Sequence, residues 1–183
     1  MADLVERHGP IDTSPADDEF ERLCVSIINQ QLSTASAAAV RDRVFALLDD
    51  VTPETVLAAD RDALREAGLS RTKVEYVRNA AEAFVERDLT REGLADHTDE
   101  EVVEELTRIK GVGEWTARMY LMFVLGRDDV LPLGDLGIRN GIRQIYGDGE
   151  ELTREEMRAI AERWRPYRSH AMRYVWAEYE ADG

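Results

Sequence analysis

Asp135 stands in the stretch LPLGDLGIRNG (131–141), between glycines and just ahead of a helix-like segment. A carboxylate there reads as a helix N-cap. It can also do chemistry, because a capping Asp is held in place by backbone donors. Some twenty residues earlier, IKGVGEW (109–115) puts two glycines, Gly111 and Gly113, between two helix-like segments. Glycines in such a turn allow positive φ and close backbone approach. The amides opening the second helix lack intrahelical partners, so with the helix dipole they suit a phosphate oxygen. Lys110 adds a positive charge. Such binding ignores base sequence, since it touches phosphate alone. The plain alternative is a simple helix–helix turn.

The elements that would position these residues read as helices. Phe20, Leu23, Ile27 and Ile28 form one apolar stripe. Ser33 or Thr34 can cap a helix through SAAAVRDRVFALL, and Pro53 can open PETVLAA. Asp60 can cap RDALREA, and Gly68 can stop it. From Ser70 to about Val85, an apolar face would hold Val74, Val77, Ala81, Phe84 and Val85. Thr98 and Glu101 make a capping box for the next helix. EWTARMYLMFVLG is apolar enough for a central buried helix. LGIRNGIRQIYG, TREEMRAIAERW and YRSHAMRYVWAEY complete an all-α reading of about ten helices.

The composition sets limits on function. The chain has 183 residues, 44% hydrophobic, enough for a packed interior in one domain or two small lobes. No apolar run is long enough to span a membrane, and the N-terminus lacks the pattern of a signal peptide. The lone cysteine, Cys24, excludes an internal disulfide and a four-cysteine metal or iron–sulfur site within this chain. His8, His97 and His170 are too scattered for a metal triad. A reducing cytoplasm fits. With 38 acidic against 23 basic residues, the formal charge is −15, and only Lys73 and Lys110 are lysines. Acid-rich, lysine-poor surfaces suit salt-loving (halophilic) organisms, where salt screens self-repulsion. Charge alone argues against a nucleic-acid partner.

Five ordered blocks argue the other way: SIINQQLSTASAA (26–38), EAGLSRTKVEYVRNAAE (66–82), LTRIKGVGEWTARMYLMF (106–123), LPLGDLGIRNGI (131–142) and ERWRPYRSHAMRYVWA (162–177). Together they resemble the helix-hairpin-helix DNA glycosylases with a Gly/Pro-rich loop and an essential aspartate (HhH-GPD). Within that superfamily they look most like the alkylpurine group, 3-methyladenine DNA glycosylase II. The resemblance implies that Asp135 is catalytic. Its carboxylate would stabilise the oxocarbenium-like sugar and orient or deprotonate water. An N-alkylated purine already carries positive charge, so no strong general acid is needed. In bifunctional relatives a catalytic Lys follows the hairpin as GVG-x-Lys. Here Glu114 is followed by Trp115, which cannot form a Schiff base. The resemblance therefore implies a monofunctional hydrolase without AP lyase activity.

It also implies a base pocket of Trp115, Trp176, Met119 and Tyr120, where aromatic faces would stack on a flipped, electron-poor base. For both tryptophans the alternative is core packing. Gln31, with Leu32 as neighbour, would fill the gap left by the extruded base, and Gln30 would support that loop. Lys110, Gly111, Gly113 and Thr116 would meet a DNA phosphate. A structural monovalent cation (Na or K) would sit on the backbone carbonyls of Thr107, Ile109 and Val112; no other cofactor is expected. The expected partner is double-stranded DNA carrying alkylated bases, bound by a monomer without a membrane, in the cytoplasm near the nucleoid.

The implied architecture is all-α and two-lobed, within one domain spanning 1–183. A middle lobe would run from about 25 to 125, and a second would combine 1–24 with 126–183, Asp135 and the hairpin facing the cleft between them. Two competing readings stay open. One is a non-catalytic helix-hairpin-helix DNA-binding module, which would need no carboxylate near phosphates. The other is a glycosylase for a different base lesion.

Overall fold

The computed structural model describes residues 1–147 and 150–181. Among the described residues all regular structure is helical: α1 (Ala2–His8), α2 (Glu19–Asn29), α3 (Thr34–Leu48), α4 (Pro53–Ala58), α5 (Arg61–Glu66), α6 (Arg71–Glu86), α7 (Asp99–Thr107), α8 (Glu114–Phe123), α9 (Leu136–Tyr146), α10 (Arg154–Glu162) and α11 (Arg168–Ala181). No helix among them is long and apolar enough to cross a membrane. The helix beyond the expected ten is α1. It spans under two turns and buries a single residue, Leu4, too little for a periodic signal.

Most helix starts follow from local chemistry. Side chains of Ser33, Thr52, Asp60, Ser70, Thr98, Asp135 and Thr153 each accept a backbone N–H of the first turn they precede. The Thr98–Glu101 capping box forms as expected. Gly68, in the left-handed region at φ +113°, follows the end of α5.

The chain divides into two compact units, Ala16–Tyr120 and Met1–Pro15 with Leu121–Gly183. The first boundary precedes α2, whereas a cut near residue 25 would pass through that helix. The second falls within α8.

In the Ala16–Tyr120 unit, α6 packs against α2, α4 and α5. Leu23, Ile27 and Ile28 of α2 are buried against this interior. Phe84 meets Phe20 and Tyr120 edge-on, with centroids 5.2 and 6.5 Å away. Val85 does not share the apolar face; it is 59% exposed. Val74, Val77, Ala81 and Phe84 repeat at spacings of three and four, and residue 85 lies about 100° further round the helix.

In the other unit, α11 packs against α9 and α1. The buried Glu178 of α11 receives the Arg7 guanidinium and sits 2.6 Å from His8 Nε2. The Tyr174 hydroxyl donates to the Gly9 carbonyl at 3.1 Å. The His8 hydrogen bond first, and then the Arg7 guanidinium, hold the Glu178 carboxyl below the usual glutamate range. A depressed carboxyl stabilises the fold above its unfolded pKa, and that contribution is lost as pH falls through the folded one. Glu178→Gln should therefore lower the thermal midpoint at neutral pH. The gap to wild type should close in acid, where the wild-type carboxylate is itself protonated. Equal midpoints at neutral pH would contradict this account.

Candidate functional site

Asp135 is the N-cap of α9, with extended backbone at φ −72° and ψ 131°. Its Oδ1 accepts the Ile138 amide at 2.9 Å and the Trp176 indole N–H at 3.2 Å. One carboxylate oxygen thus starts a helix and fixes an aromatic ring from α11. Gly137 leaves room for this meeting: a Cβ there would stand 3.2 Å from both Asp135 Oδ1 and Trp176 Nε1. The loop ahead of Asp135 is pinned by Arg139, whose Nη1 donates to the carbonyls of Leu133, Gly134 and Asp135 at 2.9, 2.9 and 3.2 Å.

The Trp176 ring stacks on Phe123, centroids 5.8 Å apart and 22° from parallel. Arg173, one turn before Trp176 on α11, places its guanidinium 4.6 Å from the Phe123 centroid and donates to the Asp12 carbonyl. The result is a supported aromatic platform beside a carboxylate. Phe123 and Gly137 were not singled out in the sequence, where they read as part of an apolar run and a turn.

In the Ala16–Tyr120 unit, the hairpin joins α7 to α8 through Arg108–Gly113. The Val112 amide closes the turn on the Ile109 carbonyl at 2.9 Å. Gly111 adopts φ +106°, and a Cβ would overlap Tyr76 at its Cγ, so the position requires glycine. Gly113 differs from the expected pattern. Its φ is not positive, and a Cβ would meet nothing within 4 Å. The protein's own packing does not require this glycine. Its bare backbone faces open space at the start of α8, where amides suit an anion. Lys110 is exposed.

Several predicted site residues lie elsewhere than expected. Tyr120 is 1% exposed, and its hydroxyl donates to the Leu89 carbonyl at 2.6 Å. Burial pushes its phenol pKa up. It is a core residue, not a pocket wall, because its ring is closed in by Phe84 and its polar end is satisfied. Met119 is buried too. Thr116 is 1% exposed with its Oγ1 accepting from Gln30, so its side chain does not face a phosphate. Trp115 is half-buried at the start of α8. Also on α8, Arg118 pairs with Glu114 at 2.9 Å.

Gln31 and Leu32 are exposed in the loop after α2. Gln31 takes φ 58°, a conformation that non-glycine residues adopt rarely and only when held. Gln30 supports the loop, donating from Nε2 to the Gly111 carbonyl and Thr116 Oγ1, both at 3.0 Å. Cys24 is buried, and among the described residues no group of His, Cys, Asp and Glu could hold a metal ion.

Residues 24–166 match the model of the HhH-GPD superfamily of base excision DNA repair proteins. The chain is 32% identical over 180 residues to DNA-3-methyladenine glycosylase 1 of Schizosaccharomyces pombe, covering 96% of this chain and 79% of that protein. A crystal structure of a DNA-3-methyladenine glycosidase from Bacillus halodurans superposes with a TM-score of 0.81 at 36% identity, over 97% of this chain and 83% of that one. The Schizosaccharomyces pombe 3-methyladenine DNA glycosylase Mag1, solved in complex with abasic DNA, gives 0.85 at 32% identity, over 96% and 88%. An all-helical fold with a glycine hairpin and a capped aspartate, matched over most of its length, belongs to the HhH-GPD superfamily of base excision DNA repair proteins.

The two hairpin glycines differ in what packing asks of them. Gly111→Ala should cost at least about 1–3 kcal/mol, since it combines a strained φ with a clash. Gly113→Ala should leave the thermal midpoint nearly unchanged while weakening binding to duplex DNA. Denaturant melts and fluorescence anisotropy check the pair. Equal stability losses would refute the distinction.

Proposed function

We propose that the protein is a monofunctional DNA glycosylase that hydrolyses the N-glycosidic bond of alkylated purines, of the 3-methyladenine and 7-methylguanine type, in base excision repair. The observation that carries this reading is the Asp135 carboxylate, held by the Ile138 amide and the Trp176 indole N–H. Binding alone would need no fixed carboxylate, which repels phosphate. Glycosidic cleavage builds positive charge on the sugar, and an oriented carboxylate stabilises it and directs water. Trp176, braced on Phe123, offers a π face to an extruded base, and a cationic purine is favoured there.

Duplex DNA is the proposed partner, and the reading treats the protein as a monomer. The hairpin would hold a phosphate through the amides after Gly113 and through Lys110. Gln31 and Leu32 would enter the stack when the base leaves. A monovalent cation fits the hairpin in its donor chemistry, since carbonyl oxygens suit hard cations. Thr107, Ile109 and Val112 would supply them, with the Ile109 oxygen using its second lone pair beside the Val112 N–H. Held there, the cation would supply positive charge favourable to a nearby phosphate.

Absence of lyase chemistry is supported by the side chain at position 115. Schiff-base formation needs a free amine. Trp115 stands at the position of the lyase Lys. Of the two lysines, Lys73 donates to two carbonyls, and Lys110 lies within the hairpin.

Asparagine caps a helix as well as aspartate does. Asp135→Asn should therefore fold with a near-unchanged thermal midpoint, while base release from N-methylated duplex DNA falls by at least about 100-fold. Release is measured at low and at molar salt, because the acidic chain is expected to tolerate high salt. Full activity in the variant would overturn the assignment of Asp135. Wild-type enzyme should leave the strand intact until alkali or heat is applied, and borohydride should trap no covalent adduct. Spontaneous nicking would refute the monofunctional reading.

A further inference from the structure

The face of α6 that carries Lys73, Tyr76 and Asn79 serves two loops at once. These residues are spaced by three, so they share one side of the helix. Lys73 Nζ donates to the carbonyls of Ile28 and Gln30 at 2.6 and 2.7 Å. Those carbonyls lie at the C-terminal end of α2, where helix carbonyls lack intrahelical partners and the dipole favours a cation. The Tyr76 ring fills the space under Gly111. Asn79 Nδ2 donates to the Lys110 carbonyl at 3.0 Å. Gln30 completes the circuit. Its own carbonyl is gripped by Lys73, and its side chain reaches the Gly111 carbonyl and Thr116 Oγ1.

We propose that Lys73 and Gln30 weld the strand-filling loop to the phosphate-binding hairpin, making Lys73 a positioning residue for base extrusion. The inference rests on the reading of Gln31 and Leu32 as the side chains that enter the stack. Gln31 follows directly from a peptide fixed on both its carbonyl and its side chain, which accounts for a left-handed residue being held in an exposed loop. Extrusion requires the phosphate to be gripped while the vacated space is filled, so the two loops must keep a constant separation. Burial lowers the Lys73 pKa, and an apolar residue would fill this half-buried space without that desolvation cost. A cation here is accounted for by the carbonyls it grips.

The test compares wild type with Lys73→Met, Gln30→Leu and Lys73→Arg. Gln30→Leu leaves the α2–α6 packing intact, so it answers even if Lys73→Met folds poorly. Hydrogen–deuterium exchange is followed at residues 28–33 and 110–116. Lys73→Met and Gln30→Leu should each speed exchange in both segments by at least about threefold, since local opening reports local stability. Faster exchange in only one segment, or in neither, would overturn the weld. In single-turnover assays the two variants should lose about tenfold or more on a methylated duplex, given the steep cost of misplacement. A single-stranded oligonucleotide with the same methylated purine should be processed at wild-type rate. Lys73→Arg, keeping a cationic donor, should recover most of the duplex activity. Equal loss on both substrates would overturn the positioning role. If wild type releases no base yet shows coupled exchange, the glycosylase reading falls and the weld stands. If wild type is active but exchange is uncoupled, the weld alone falls.

Discussion

One carboxylate oxygen, Asp135 Oδ1, belongs to two parts of the fold at once. It accepts the Ile138 amide, which begins α9, and the Trp176 indole, which comes from α11. The helix it starts is the one on which α11 packs. Packing and hydrogen bond support each other: α9 and α11 must lie close for the indole to reach, and Gly137 makes that closeness possible. A partly buried indole N–H is usually paired with an acceptor, and here the acceptor is the group proposed to do the chemistry. Orientation of the aromatic platform and of the carboxylate is therefore one property. Phe123 and Arg173 extend the same arrangement by bracing the ring face.

Net charge is the second constraint. A chain with formal charge −15 must approach a polyanion. Many of its arginines are already engaged with carboxylates, including Arg61, Arg87, Arg108, Arg118, Arg165 and Arg168. Where such pairs are exposed they contribute little to stability, but each sets a carboxylate against the arginine's charge. The proposed phosphate site would avoid the difficulty by using backbone amides at a helix start, which carry partial positive charge whatever the surface composition. Gly113, open on its Cβ side, keeps that backbone accessible. Gly111 has a different duty, since Tyr76 fills the space its side chain would take. Two glycines that look equivalent in the sequence thus differ: packing requires Gly111, whereas Gly113 is open on its Cβ side and belongs to the proposed phosphate site.

Much of this was legible before any coordinates, and the legible part is local. Thr98 and Glu101 cap α7, Ser70 caps α6, Asp60 caps α5 and Asp135 caps α9 because each bond reaches only two or three residues along the chain. The hairpin glycines also follow from a short motif, while the Gln31–Leu32 pair was singled out by the family resemblance. The amino-acid sequence by itself therefore determined every described helix but α1, most of the helix starts, the hairpin and the position of Asp135. What it misjudged depended on distant partners. Tyr120 and Met119 sit on a helix whose run is apolar on nearly every side, so periodicity does not say which face meets the interior. Trp176 meets Asp135 across 41 residues, Lys73 meets Gln30 across 43, and Gln30 meets Gly111 across 81. Only the tertiary structure decided these contacts, because they form when whole helices pack, and helix packing depends on the summed shape of many side chains rather than on any one spacing.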